Sequence, residues 1–250
     1  MRKWMIAPVV LMILAFVWAV YTDIIILRTT EDMAGSESAA AILFVGNSHV
    51  FVGDVPKQLQ TIAAAHGVEV AYKDLSRHGA SLSRSKDNAI REMGNKRYDY
   101  VVLQDQSRRQ QSDIAGFMHD IRILCDAARE SGAIPVLYNP AWASINGQPD
   151  IAHQNVLTQA YKQAADDNDT MLVNAGDAWV YAYQQIPGIA LYTKFDPRGP
   201  HANNAGAFFT ACVFAATLFD LHVGEIPTNS LYKGSDALGL AQAAWEFTHE

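Results

Sequence analysis

Three residues lying beside turns have the side chains for covalent chemistry: a serine, a histidine and an aspartate. Ser48 stands in Ile42-Leu43-Phe44-Val45-Gly46-Asn47-Ser48-His49, directly after an apolar run. A serine at such a strand-to-helix turn can present its hydroxyl and its backbone N–H together. Far along the chain, Asp196 and His201 share the Gly- and Pro-rich turn Lys194-Phe195-Asp196-Pro197-Arg198-Gly199-Pro200-His201, just before a helical pattern. Imidazole, with an ordinary pKa of about 6.5, accepts a proton at neutral pH, and a neighbouring carboxylate can hold its tautomer. Together these groups suit nucleophilic attack on a carbonyl through an acyl-enzyme. Each has a plainer reading when taken alone, since Ser is a favoured helix N-cap and an Asp and a His near each other mean little.

Two further turns supply hydrogen-bond donors. In Ser76-Arg77-His78-Gly79-Ala80-Ser81, Gly79 is either a plain turn glycine or an unobstructed backbone N–H for an oxyanion hole. In Val101-Val102-Leu103-Gln104-Asp105-Gln106-Ser107, apolar residues give way abruptly to amides that can donate to the same oxyanion. His49 adjoins the serine, but adjacent side chains diverge, so it is expected to flank the cleft, and His78 to touch substrate. The G-x-S-x-G elbow of α/β-hydrolases is excluded, because Val50 stands at its last glycine.

Short apolar runs at Ala41–Val45, Val68–Asp74, Tyr100–Leu103, Ile134–Tyr138 and Met171–Val173 read as buried strands. Between and after them, helical periodicity recurs at 55–66, 81–93, 112–131, 153–168, 203–220 and 235–248. Strands alternating with helices predict a three-layer α/β/α sandwich on a five-stranded parallel sheet, flavodoxin-like. Ligands bind such sheets beyond the carboxyl ends of the strands, and that is where every residue above falls. The face Phe208, Phe209, Cys212, Val213, Ala216 and Phe219 has the width of a core-facing helix. In the last helix, Trp245 is expected as the anchor.

In chain order, Ser, Gly, Gln, Asp and His make the sequence resemble the SGNH/GDSL hydrolase superfamily over about residues 41–222. Gly46-Asn47-Ser48 is similar to its Gly-Asp-Ser block with Asn in place of Asp, and Gly79 matches its second-block glycine. The third block, Gly-x-Asn-Asp, is replaced by Gln104-Asp105-Gln106-Ser107, which resembles the Gln-Gly-Glu-Ser of members similar to carbohydrate acetylesterases. The fifth block, Asp-x-x-His, is stretched here. His201 is its direct match, and Asp196 is displaced or dispensable, which would leave a Ser-His dyad. Val173–Trp179 resembles a recurring structural block.

The resemblance implies a serine esterase hydrolysing acyl esters, O-acetyl ones foremost, on small molecules or cell-envelope glycans. Ser48, His201 and Asp196 would be catalytic, and the oxyanion hole would comprise the N–H groups of Ser48 and Gly79 and the Gln104 amide, with Gln106 as second choice. Asn47, His49, His78 and Gln106 would line the substrate site. A thioesterase with the same triad fits equally, and the altered third and fifth blocks keep open a non-catalytic carbohydrate- or lipid-binding domain on this scaffold.

Composition bounds these readings. With 250 residues, half of them hydrophobic, the chain needs no disulfide framework to fold. A formal charge of −7 suits no polyanion, so nucleic acid is not an expected partner. Neither zinc spacing nor a phosphate-binding glycine loop occurs, so no metal and no cofactor is expected.

Arg2 and Lys3 precede an uncharged apolar stretch from Trp4 to Thr22, close to the roughly 20 residues of a membrane-spanning helix. Residues 1–27 are therefore expected to be a signal-anchor or transmembrane segment, cleavage as a signal peptide being the alternative, with the domain exported. A linker at 28–40, an SGNH-hydrolase-like domain at 41–225 and a C-terminal extension at 226–250 follow. Cys125 and Cys212 read as buried thiols, with a disulfide the alternative in an oxidising compartment.

Overall fold

The computed structural model describes residues 39–142, 146–193, 201–227 and 229–250. The expected N-terminal anchor, nearly all of the linker, and Asp196 lie outside the described residues. Among the described residues no helix is long and apolar enough to cross a membrane.

Five strands, β1 (Ala40–Val45), β2 (Val70–Asp74), β3 (Tyr100–Leu103), β4 (Ile134–Tyr138) and β5 (Met171–Val173), form one sheet in the order β2-β1-β3-β4-β5. Every pairing is parallel. This is the flavodoxin-like order, with its topological switch point between β1 and β3. Side chains alternate across it: Ile42 and Phe44 enter one apolar cluster, Leu43 and Val45 the other. Strands buried on both faces read as unbroken apolar runs, as β1, β3 and β4 do, whereas the edge strand β2 turns Ala71 and Lys73 to solvent and alternates. β2 starts later than expected because the Val68 N–H closes a turn onto Ala63 O at 2.9 Å.

On the Phe44 face lie α2 (Val55–Ala65), α7 (Ala175–Gln185), α8 (Asn204–Phe219) and α9 (Ala237–His249). The other face is covered by α3 (Leu82–Asn95), α5 (Ile114–Glu130) and α6 (Ile151–Asp167). The short helices α1 (Ser48–Phe51) and α4 (Arg109–Ser112) follow β1 and β3. Residues Ala40–Glu250 form one compact unit. α8 is buried on almost every side, from Ala205 to Ala216, because α9 covers the side turned away from the sheet. Leu240, Ala241 and Ala244 anchor α9, whereas Trp245 is only half-buried and stacks on His249.

Cys125 and Cys212 are free, buried thiols on opposite faces of the sheet. The sheet between them rules out the bridge. Burial pushes the Cys125 thiol up to about 12 and raises Cys212 as well, so both are inert in the core.

Candidate active site

The turns after β1, β2, β3 and β4 converge on a cavity of about 310 Å³. Ser48 and His201 lie in its wall, with the Ser48 Oγ 2.9 Å from His201 Nε2. Ser48 is the first residue of α1, and Asn47 is its N-cap, its Oδ1 accepting the His49 N–H at 3.1 Å. Gly46 lets the chain turn there: a Cβ on it would meet Val50 Cγ2 at 2.7 Å and Gln104 Oε1 at 2.8 Å.

His201 is held by its own backbone. Its carbonyl accepts the Thr193 N–H at 2.8 Å, and its N–H donates to Thr193 Oγ1 at 3.2 Å. Tyr192 and Ala202 form a bridge beside these bonds, and Asn203 caps α8 through Gly206 N–H at 2.9 Å. The imidazole is thus delivered from a short two-stranded clamp at the entrance to α8.

Gly79 lines the cavity in a tight turn closed by Ala80 N–H on Arg77 O at 3.0 Å. Its φ of +61° is a conformation that L side chains rarely adopt. Neither the Ser48 nor the Gly79 N–H has a hydrogen-bond partner among the described residues. Two unpaired backbone donors beside a nucleophile are what an oxyanion hole requires.

Two expected donors exchange places. Gln104 is fully buried and absent from the cavity wall. Its Oε1 accepts the Asn47 N–H at 2.9 Å, and its Nε2 donates to Asp105 O, so its amide is spent beneath the serine turn and is not available to an oxyanion. Gln106, by contrast, does line the cavity, and its Oε1 accepts the Arg108 N–H at 2.9 Å, which leaves Nε2 as the donor for a ligand.

Asn47 also lines the cavity but is only 3% exposed. Its Nδ2 donates to Ala80 O at 3.3 Å and Asp105 O at 3.4 Å, tying three turns together. Only an amide can accept from one backbone N–H and donate to two carbonyls, so Asn suits this place better than Asp.

The turn after β3 is itself anchored. Asp105, fully buried, accepts from Leu82 N–H at 2.8 Å and Gln106 N–H at 2.7 Å, and pairs with Arg109 at 2.9 Å. Arg109 also meets Asp120 at 2.7 Å. Asp105 therefore caps α3 from a distant loop while Ser81, the local N-cap, makes no side-chain capping bond among the described residues.

His49 and His78 line the cavity, with ring centroids 5.9 Å and 6.4 Å from that of His201. Burial, with the adjacent His201 second, lowers His49 to about 3, so it stays neutral at working pH. Sequence reasoning missed Ser107, Arg108 and Trp142, which complete the wall. Ser107 closes the Gln104-Asp105-Gln106-Ser107 block without a role of its own there, and Arg108 follows it directly. Trp142 gave no signal at all. Among the described residues no group of three or more His, Cys, Asp or Glu is placed to hold a metal ion.

A serine–histidine pair beyond β1, with backbone donors after β1 and β2, on a sheet of this order, defines the SGNH-hydrolase type of fold. Solved structures agree. A DUF4886 family protein from Bacteroides uniformis superposes with a TM-score of 0.67 at 18% identity, over 84% of this chain and 95% of its own. An SGNH hydrolase candidate from Slackia heliotrinireducens gives 0.58 at 24% identity, over 72% and 99%. An acetylxylan esterase from Geobacillus stearothermophilus gives 0.58 at 14%, over 73% and 96%. No family model matches the chain, and no curated protein does. At these identities the likeness establishes the fold.

Proposed function

We propose that the protein is a serine ester hydrolase that removes short acyl groups, acetyl foremost, by a Ser48–His201 acyl-enzyme mechanism. The observation that carries this is the 2.9 Å contact between Ser48 Oγ and His201 Nε2 inside the cavity. His201 Nε2 takes the hydroxyl proton as Ser48 Oγ bonds to the ester carbonyl carbon. The tetrahedral oxyanion is received by the N–H groups of Ser48 and Gly79, with Gln106 Nε2 as the side-chain donor. The carbon–alkoxy bond then breaks, and the alcohol leaves with the proton from His201. Water attacks the acyl-enzyme and gives a proton to His201, the Ser48–acyl bond breaks, and that proton returns to Ser48. Asp196, the carboxylate expected from the sequence, is assigned to orient His201.

The lining supports a short acyl group: among the described residues of the wall there is no aliphatic side chain, and Trp142 is the large apolar one, which favours acetyl over a long alkyl tail. Together with the apolar N-terminal segment, proposed as an anchor, this favours O-acetylated glycans of the cell envelope as substrates. Support for the acyl chemistry also comes from a structural neighbour described as an acetylxylan esterase.

The test is hydrolysis of 4-nitrophenyl acetate, butyrate and octanoate alongside labelling by a fluorophosphonate. Hydrolysis that declines with chain length, together with a label on Ser48 lost in Ser48→Ala, is expected. No turnover and no label would instead favour a non-catalytic glycan-binding domain.

A further inference from the structure

The chain is acidic, with 26 Asp and Glu against 19 Lys and Arg. Yet among the described residues the cavity wall holds no Asp or Glu, and it does hold Arg108. The neighbouring Arg109 is held by Asp105, Asp113 and Asp120. Arg108, which is exposed, forms no ion pair among the described residues. An unneutralised cation at the mouth of a cavity in an otherwise acidic protein attracts anions locally.

The Arg108 backbone is fixed, its N–H donating to Gln106 Oε1 at 2.9 Å and its carbonyl accepting from Ser112 Oγ at 3.1 Å. Its guanidinium carbon lies over the Trp142 ring, 6.0 Å from the centroid. Trp142 is braced on one side by His153, with ring centroids 4.7 Å apart and planes 27° apart. His153 is locked in turn by Ser107 O at 2.9 Å and Gln111 Nε2 at 3.2 Å. Beside this pair, Ser107 lines the cavity at 3% exposure with an Oγ that has no hydrogen-bond partner among the described residues. A buried hydroxyl left unpaired in a cavity wall points to a ligand group that completes it.

We propose that Ser107, Arg108 and Trp142 form a subsite for the alcohol portion of the ester, and that this portion is an acidic sugar. The sugar packs against Trp142, its carboxylate meets the Arg108 guanidinium, whose fork matches a carboxylate, and a sugar hydroxyl pairs with Ser107 Oγ. The substrate class is then acyl esters of uronic-acid-containing glycans. The reaction assigned to them rests on the esterase reading, whereas the binding does not.

The test uses 4-nitrophenyl β-D-glucuronide and 4-nitrophenyl β-D-glucoside, which differ by a carboxylate against a hydroxymethyl group. Their binding to the full chain in detergent is measured by ligand-observed NMR. The glucuronide is expected to bind about tenfold tighter. That gap should close in Arg108→Gln, survive in part in Arg108→Lys, and shrink in high salt, while Ser107→Ala weakens both sugars. Equal binding of the two glycosides, or an unchanged gap in Arg108→Gln, overturns the subsite. Turnover of the O-acetylated forms of both glycosides separates the two readings. A glucuronide preference in binding without any ester hydrolysis sinks the esterase and keeps the subsite; hydrolysis with no preference in either assay does the reverse.

Discussion

Ser48 Oγ and His201 Nε2 are 2.9 Å apart although 153 positions separate them in the chain. The two are positioned independently, Ser48 by the Asn47 cap of α1 and His201 by its clamp on Thr193. A hydrogen bond between groups held separately is what general-base activation of a serine needs. Ser48→Ala and His201→Ala are each expected to lower kcat on 4-nitrophenyl acetate by about 10⁴ or more, and the double variant by little beyond either, since such residues act as a unit. A His201→Ala enzyme retaining most of the rate would remove His201 from the base role.

Asn47 gives a sharper test, because the Asp of the Gly-Asp-Ser pattern is the substitution to make. In Asn47→Asp the oxygen can still accept the His49 N–H, but a carboxylate oxygen now faces Ala80 O and Asp105 O, both acceptors. Asp105 O keeps the Gln104 amide, but Ala80 O is left without a donor, and an unsatisfied buried group costs about 1–3 kcal/mol. The Gly79 turn should loosen as well, so kcat should fall more than KM rises. Thermal unfolding and steady-state kinetics on the same preparation check both, and an unaltered Tm would show that the two long bonds carry no weight.

Gln104 and Gln106 separate by readout. Gln104→Ala removes the acceptor for the Asn47 N–H and the donor to Asp105 O in a fully buried place. Its main effect is expected on Tm, through an unsatisfied N–H and a cavity. Gln106→Ala faces the cavity, so stability should change little while kcat falls roughly a hundredfold, the usual cost of an oxyanion donor. The opposite pattern, a kcat loss for Gln104→Ala at unchanged Tm, would restore Gln104 to the oxyanion.

How far the sequence could be read follows from the same residues. Strands such as Ile42–Val45 were plain because burial on both faces leaves an apolar run, and the turns that follow strands hold most of the site. α7 went unseen because Gly176 sits in its first turn, where glycine reads as loop. The glycine is there for space: a Cβ would approach Pro140 O at 2.9 Å and the Gln154 amide still more closely. The exchange of Gln104 and Gln106 was hidden for a related reason. Which of two amides in one loop faces a ligand depends on Asp105 bonding Leu82 and Arg109, a matter of partners remote in sequence, which no local pattern carries. Arg108 and Trp142 lack any motif, and only the packing of His153 behind Trp142 turns that side chain into a wall.

His49 yields the pH prediction. Its folded-state pKa is near 3 against 6.5 for an unfolded histidine, lowered first by burial and then by His201. As pH falls below about 6.5 the unfolded chain takes up a proton that the folded chain refuses until about 3. Stability contributed by neutral His49 is therefore fully present above about 6.5 and is lost progressively on acidification through that window, at a ceiling of about 1.4 kcal/mol per pH unit. The ring is partly exposed in the cavity wall, so the slope is expected to fall below the ceiling. In His49→Phe, which keeps a ring beside Trp142, this contribution disappears. The difference between the wild-type and variant unfolding free energies, taken from urea titrations between pH 7 and 4, reads this contribution together with its coupling to His201. The wild type should lose stability faster than the variant as pH drops, and parallel curves would mean that His49 titrates like an exposed histidine and leaves the cavity charged in acid.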